Sequence, residues 1–211
     1  MDLYFAPLAC SMATRIALYE AGADARFIQV NTKAKRVADG TDFLTINPLG
    51  MVPVIRTDDG ALLTENAAIL QYVAERFPAA NLVPAAGIER ARLQQWLCFI
   101  GTELHKYAFV PILDSKAPEE AKRYARTKAE PRLAYLNDYL NGREFLLDRF
   151  SVADAYLTTV LNWGRAMAID LAAWPAVKDY FSRMRQRPSI ARALAEEGQL
   201  YAEEQARQKA A

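Results

Sequence analysis

The first 22 residues, MDLYFAPLACSMATRIALYEAG, contain the pattern that decides the fold. Residues 2–6 form a short apolar segment that predicts a β-strand, and residues 11–21 repeat apolar side chains at helical spacing. Gly22 follows, and glycine is the usual residue at the left-handed end of a helix. The chain therefore opens with a strand, a turn and a helix, and the turn ends in a cysteine, Cys10.

A second apolar segment at residues 26–30 predicts another strand, so the opening becomes a βαβ unit with a right-handed crossover. Residues 53–57 and 61–63 flank Asp58-Asp59-Gly60, and an Asp-Gly pair supplies the positive φ that a tight hairpin needs. A helix predicted at residues 65–77 follows the hairpin. The order βαβ and then ββα is the plan of a thioredoxin-like domain.

From residue 88 onward the apolar periodicity is helical throughout. Helices are predicted at residues 88–113, 118–140, 152–169 and 174–187, with a shorter piece at 189–196 and a fraying polar tail from residue 199. Residues 79–87 lack this periodicity and predict a linker. We therefore expect an α+β protein with a thioredoxin-like domain at residues 1–78 and an all-helical domain at 88–211.

One local signal in the helical half concerns how a helix starts. Ser151 and Asp154 have the spacing of a capping box, in which each side chain accepts a hydrogen bond from the other residue's backbone amide. Such a box stabilises a buried helix start, so no catalytic role is assigned to it.

Composition excludes several classes of function. Lys and Arg number 26 against 25 Asp and Glu, so no excess charge attracts nucleic acid or an anionic membrane. No apolar run is long enough to span a bilayer, and the N-terminus does not resemble a secretory signal. Two cysteines and one histidine are too few for a disulfide scaffold or a Cys- or His-built metal site. We expect a cytoplasmic protein without a metal.

Cys10 is the first candidate for chemistry, because unpaired amides and the dipole at a helix start favour a thiolate. The alternative is a buried cysteine that only fills space. A dithiol oxidoreductase needs a second cysteine three positions later, where this chain has Ala13. The sequence therefore predicts one-thiol chemistry with an external thiol, and glutathione is the most abundant cytosolic candidate.

Three further places could bind a small peptide. A cis bond before Pro53 would turn the N–H and C=O of Val52 outward for a ligand to pair with, although a trans proline opening an edge strand is the alternative. The helix that starts near Glu65 could bind both ends of an amino acid, the alternative being capping by Thr64 or Asn66. His105, the only histidine, has the only side chain whose unperturbed pKa lies near neutrality, yet a helical histidine is more often structural.

Taken together, the motifs of this chain resemble the beta class of bacterial glutathione transferases, over nearly the whole length. The matching stretches are Ala9-Cys10-Ser11, Lys35 within Lys33-Ala34-Lys35-Arg36, Asn47 to Pro53, Leu63-Thr64-Glu65-Asn66, Thr102-Glu103-Leu104-His105-Lys106 and Phe150 to Tyr156. These separate motifs follow one another in the same order as in the family, which makes a chance match improbable. The resemblance implies a glutathione transferase, with glutathione as co-substrate, no other cofactor and a homodimeric assembly.

The resemblance also implies roles for individual residues. Cys10, after Ala9, would contact glutathione or form a mixed disulfide with it, and Val52 would pair with its cysteinyl backbone across a cis Pro53. The remaining glutathione contacts would be Lys35 at the glycyl carboxylate, Glu65 and Asn66 at the γ-glutamyl end, and Thr102, Glu103 and His105 from the helical domain. The helical domain would also supply the pocket for an apolar electrophile, and His105 would join Cys10 in catalysis.

Two positions depart from the family pattern. Cys98 stands where family members usually carry an asparagine able to hydrogen-bond near the thiol, and Asn66 stands where they commonly have Gly or Ser. The first departure keeps open a non-catalytic protein that binds glutathione or apolar compounds. A glutathione-dependent isomerase or dehalogenase is also open, because one fold hosts many reactions.

Overall fold

The computed structural model describes residues 1–210, apart from the side chains of residues 165, 208 and 210. Its contacts divide the chain into two compact units. The first unit contains Met1–Leu82 and the chain from Arg187 onward, and the second contains Val83–Gln186. The division predicted from sequence placed everything after residue 88 in one helical domain, and the structure differs in grouping the last helix with the N-terminal unit.

The first unit is built on a mixed five-stranded sheet in the order β3-β2-β1-β4-β5. The strands are β1 (Asp2–Phe5), β2 (Arg26–Asn31), β3 (Arg36–Val37), β4 (Val54–Arg56) and β5 (Leu62–Thr64). β1 and β2 are parallel, while the β1–β4, β2–β3 and β4–β5 pairs are antiparallel. The predicted βαβ and ββα plan is confirmed, and only the two-residue strand β3 was not predicted.

Three helices belong to this unit: α1 (Met12–Glu20), α2 (Asn66–Arg76) and α8 (Pro188–Ala210). α1 packs against both α2 and α8, and its residues from Met12 to Leu18 are all buried. A separate apolar cluster lies around Tyr4, Val30, Val37, Phe43 and Val54. Protein thus surrounds most of α1. A charged side chain on this helix needs buried partners, because burying an unpaired charge is costly.

The second unit is helical. Its elements are α3 (Gly87–Phe99), a π-helical segment (Ile100–Phe109), α4 (Val110–Leu113), α5 (Glu119–Leu140), α6 (Val152–Leu161) and α7 (Pro175–Gln186). The π-helical segment continues α3 directly, and the amide of Val110 bonds to the carbonyl of His105 five residues earlier. This segment carries the Thr-Glu-Leu-His motif, and π-helical turns occur often at functional sites.

Two predicted helices differ from the observed ones. The helix predicted at residues 152–169 ends at Leu161 and is followed by a 3-10 turn, because the chain reverses where the amide of Ile169 bonds to the carbonyl of Gly164, 2.9 Å away, with Ala168 left-handed. The piece predicted at 189–196, with its fraying tail, is instead the long helix α8. Its buried side of Ile190, Ala193 and Glu197 holds the helix onto the first unit.

The capping box at the start of α6 is present. The Ser151 hydroxyl accepts from the amide of Ala153, and the Asp154 carboxylate accepts from the amide of Ser151. Within residues 1–210, no helix combines the length and the apolar character needed to cross a bilayer.

Candidate active site around Cys10

The turn between β1 and α1 is held by short-range hydrogen bonds. The Ala9 amide donates to the Ala6 carbonyl at 3.1 Å, and the amide of Met12 donates to the carbonyl of Ala9 at 3.0 Å. The buried hydroxyl of Ser11 bonds both the amide and the carbonyl of Ala6 at 3.2 Å. Leu8 adopts a left-handed backbone with φ of 57°. Cys10 lies at the end of this closed turn, two residues before α1 begins at Met12.

The thiol of Cys10 lies against Val52, two residues before β4 begins. Its Sγ donates to the Val52 carbonyl at 3.2 Å, and both residues are partly exposed. The Val52–Pro53 peptide bond is cis, as the resemblance implies and contrary to the trans alternative. The Cys10 sulfur and the Val52 carbonyl therefore lie side by side at a partly exposed position.

Asn66 connects the start of α2 to the same turn. Its Nδ2 donates to the Cys10 carbonyl at 3.0 Å, and its Oδ1 accepts from the Thr14 hydroxyl at 3.1 Å. The side chain is buried and both of its polar atoms are in use. Capping of α2 by Thr64 or Asn66 is therefore not what occurs: the N-cap residue is Glu65, which makes no capping hydrogen bond with its side chain.

Glu65 is exposed and has a positive φ of 67°. A non-glycine residue in that region costs free energy of order 1–3 kcal/mol, and such residues cluster at binding sites. Lys35 also has a positive φ, and its Nζ donates to the carbonyl of Gly50 at 2.8 Å, two residues before Val52. Within the first unit, Cys10 thus contacts both Val52 and Asn66. Glu65 directly precedes Asn66 in the chain, and Lys35 bonds Gly50, two residues before Val52.

The remaining predicted site residues lie on the π-helical segment of the second unit. The hydroxyl of Thr102 donates to the carbonyl of Cys98 at 2.9 Å, and Glu103 accepts from Arg132 Nε at 2.9 Å. His105 is buried, with its Nδ1 2.6 Å from the hydroxyl of Tyr156. Burial, aided by the nearby Lys106 charge, lowers the pKa of His105 to about 4. This histidine is therefore neutral at physiological pH.

The structure shows a buried charged group that sequence reasoning missed. The Arg15 guanidinium lies between the rings of Phe5 and Phe27, 4.3 and 4.1 Å from their centroids. Arg15 also forms ion pairs with Glu196 and Glu197 of α8, at 3.0 and 2.9 Å. The available signal was a charged residue inside an apolar stretch, but its partners are more than 180 residues away in sequence.

The other carboxylate oxygen of Glu197 reaches the Cys10 turn, where it accepts from the amide of Leu8 at 2.7 Å. The Glu197 side chain is completely buried. Burial raises its pKa to about 7, although Arg15 and the Leu8 amide act in the opposite direction.

Comparison with known proteins agrees with this arrangement. Residues 1–75 match the profile of the "Glutathione S-transferase, N-terminal domain" and residues 100–188 that of the C-terminal domain. Glutathione S-transferase GstA of Escherichia coli O157:H7 is 40% identical over 200 residues, which cover 94% of this chain and 99% of GstA.

Two solved structures are similar over 94% of this chain and 99% of theirs, each with a TM-score of 0.90. One is a sphingomonad glutathione S-transferase in complex with glutathione, 44% identical, and the other is the beta-class enzyme of Sphingomonas chungbukensis, 43% identical. A thioredoxin-like unit followed by a helical unit defines the class. This chain belongs to the glutathione S-transferase family, and its resemblance to the beta class is confirmed.

Proposed function

We propose that the protein binds glutathione through its first unit and is a glutathione transferase. It either adds glutathione to an apolar electrophile or exchanges it through a mixed disulfide at Cys10. The observation that carries the proposal is the position of the Cys10 sulfur, 3.2 Å from the Val52 carbonyl and beside the start of α2. Family membership supports the choice of glutathione.

Backbone pairing at Val52 is the first part of the proposed binding mode. The cysteinyl N–H of glutathione would take over the Val52 carbonyl that the Cys10 thiol uses, in the manner of an added strand. This exchange would bring the glutathione sulfur next to Cys10 and release the Cys10 thiol from its acceptor. The two sulfur atoms would then be close enough to form a mixed disulfide, or for the Cys10 thiol to assist the reaction of the glutathione thiolate.

Charged groups would bind the two ends of glutathione. The exposed Glu65 carboxylate suits the γ-glutamyl ammonium, and the amides at the start of α2 suit the neighbouring carboxylate. Lys35 would meet the glycyl carboxylate. Since the side chain of Asn66 already bonds Cys10 and Thr14, we assign it to holding the cysteine rather than to the ligand. Thr102, Glu103 and His105 stay predicted contacts from the helical unit.

The two reactions differ in which bonds change. In conjugation, the glutathione thiolate attacks an electrophilic carbon, the C–S bond forms and the leaving group departs with its electron pair. In exchange, the Cys10 thiolate attacks the sulfur of a glutathione mixed disulfide and releases the other thiol. A second glutathione then attacks the Cys10 disulfide, which yields oxidised glutathione and the free cysteine.

Mass spectrometry of the intact protein after incubation with oxidised glutathione tests the role of Cys10. We expect one glutathionyl adduct on the wild type and on Cys98→Ala, and none on Cys10→Ala. Cys98 is the matched control because it is the second cysteine and is exposed. An adduct that persists in Cys10→Ala, or that maps to Cys98, contradicts the assignment.

Turnover separates the enzyme from a binding protein. A transferase gives a glutathione-dependent rate with a halonitrobenzene or a mixed disulfide, whereas a binding protein retains glutathione without turnover. The same screen, extended to halogenated and isomerisable substrates, tests the dehalogenase and isomerase alternatives. The apolar electrophile, the homodimer and the cytoplasmic location stay predictions.

A further inference from the structure

The carboxylate of Glu197 lies where the last helix meets the turn before Cys10. Its Oε2 accepts from the amide of Leu8 at 2.7 Å, and its Oε1 lies 2.9 Å from Arg15 Nε. Both Glu197 and Arg15 are buried. A buried carboxylate is costly unless its oxygens have partners, so these contacts fix the group rather than leaving it to rotate.

Leu8 is a residue that needs such a contact. Its φ of 57° lies in the left-handed region, which a branched side chain rarely adopts and which glycine adopts without penalty. The strained residue is two positions before Cys10, in the turn where the amide of Ala9 bonds to Ala6. A relaxed Leu8 would change the direction of the chain immediately before the cysteine.

Arg15 supplies the positive charge that pairs with the buried Glu197 carboxylate. Its guanidinium is held between Phe5 and Phe27 and is also paired with Glu196 of the same helix. Glu196 therefore shares the charge contact with Arg15, but the carboxylate that accepts from Leu8 is that of Glu197. Substituting Glu196 therefore changes only the pairing of Arg15, whereas substituting Glu197 also removes the hydrogen bond to the turn at Leu8.

We propose that Glu197 is a positioning residue for Cys10: its carboxylate, held by Arg15, keeps Leu8 in the left-handed conformation and so places the cysteine beside Val52. The inference rests on the proposed function only in taking Cys10 as the reactive residue. It predicts that a change in α8 alters the behaviour of a thiol at the other end of the sequence.

The test measures how fast iodoacetamide alkylates Cys10, with peptide mass spectrometry as the readout and no glutathione present. Cys98, which is exposed, is the internal reference in the same digest. In Glu197→Met the Leu8 amide loses its hydrogen bond to the carboxylate, so we expect the turn to relax and the thiol to leave the Val52 carbonyl. We expect alkylation of Cys10 to become about tenfold faster, as release of one strained residue would allow, with Cys98 unchanged.

Two control variants isolate the Leu8 contact. Glu196→Met removes the neighbouring carboxylate from Arg15 and leaves the Leu8 bond, so the Cys10 rate should match the wild type. Glu197→Gln keeps an oxygen that can accept from Leu8, so its rate should stay within about threefold of the wild type. Equal acceleration in Glu196→Met and Glu197→Met would overturn the proposal, because loss of Arg15 support would then be sufficient.

The double variant Leu8→Gly with Glu197→Met distinguishes positioning from general stability. Glycine holds a positive φ without help, so the alkylation rate should return towards the wild-type value. The resistance to urea should stay reduced, because Arg15 keeps Glu196 but has lost its ion pair with Glu197. A purely structural role predicts no such recovery, and that result would overturn the inference.

If Glu197→Met does not fold, hydrogen exchange decides. The Leu8 amide of the wild type should be protected, and Glu197→Gln should weaken that protection while leaving α2 unchanged. Rapid exchange at Leu8 in the wild type contradicts the proposal. Because neither readout uses glutathione, a failure here is distinguishable from a failure of the proposed transferase activity.

Discussion

Single polar atoms decide how the Cys10 turn is held. Asn66 uses its amide nitrogen as a donor to the Cys10 carbonyl and its amide oxygen as an acceptor from Thr14. A carboxylate of the same shape has two acceptors and no donor when ionised. Residue 66 must therefore offer one donor and one acceptor, which asparagine does and an ionised aspartate of the same size does not.

Asn66→Asp tests this requirement. We expect the free energy of unfolding in urea to fall by about 2 kcal/mol, because an acceptor then faces the Cys10 carbonyl and a charge is buried. The matched control is Asn31→Asp, since the Asn31 oxygen accepts from the amides of Lys33 and Ala34 and a carboxylate keeps both bonds. The expectation fails if the two variants lose the same stability.

The start of α6 is held by one buried carboxylate, that of Asp154. Asp154 Oδ1 accepts from the Leu146 amide and the Tyr180 hydroxyl, and its Oδ2 accepts from the amide and hydroxyl of Ser151. Burial raises the pKa of Asp154 while these donors lower it. One carboxylate thereby joins α6 to α7 and to the loop that precedes α6.

Asp154→Asn should be strongly destabilising. Each carboxylate oxygen faces two donors, so an amide NH₂ meets two donors in either orientation, and we expect a loss of about 3 kcal/mol. Asp148→Asn, at an exposed position, is the control and should change stability little. Thermal and urea unfolding of the two variants give the comparison; a small loss in Asp154→Asn would mean that the helix start rearranges.

Local patterns predicted most elements but not their partners. The capping box depends on residues three apart, and α1 and every strand except the two-residue β3 follow from local apolar spacing, so these elements were predictable. The length and location of α8 depend on Ile190, Ala193 and Glu197 packing onto the first unit. Contacts between residues so distant in sequence leave no local pattern. The prediction therefore found only residues 189–196 of α8, and it missed both the grouping of α8 with the first unit and the Arg15–Glu197 pair.

The candidate site shows the same division. Motifs predicted roles for Cys10, Val52 and Glu65, and those roles stay predictions. The hydrogen bonds of Asn66 to Cys10 and Thr14 became visible only once the turn and α2 were placed together. Whether Lys35 meets a carboxylate depends on its bond to Gly50, which the sequence does not record.

At the scale of the whole molecule, two buried groups, His105 and Glu197, make the free energy of unfolding change with pH in opposite directions. His105, with a pKa of about 4 when folded and 6.5 normally, stabilises above pH 6.5 and loses that contribution as pH falls towards 4. Glu197, with a pKa of about 7 when folded and 4.5 normally, stabilises below pH 4.5 and loses that contribution as pH rises through 7. Between pH 4.5 and 6.5 the two effects oppose each other.

Urea unfolding between pH 5 and 6.5 should separate them. The wild type should change little from these two groups, Glu197→Gln should gain stability as pH rises, and His105→Gln should lose it. Each slope is at most about 1.4 kcal/mol per pH unit, the value for one proton. Parallel pH profiles for the two variants would contradict the opposed shifts.

The bond between Leu8 and Glu197 spans 189 positions of sequence. During translation the turn that carries Cys10 is made long before its support on α8, and a domain generally folds as a unit. On a nascent chain the cysteine would therefore lack its final setting until α8 has docked. Thiol alkylation of ribosome-bound chains of increasing length would then record the moment at which the first unit is complete.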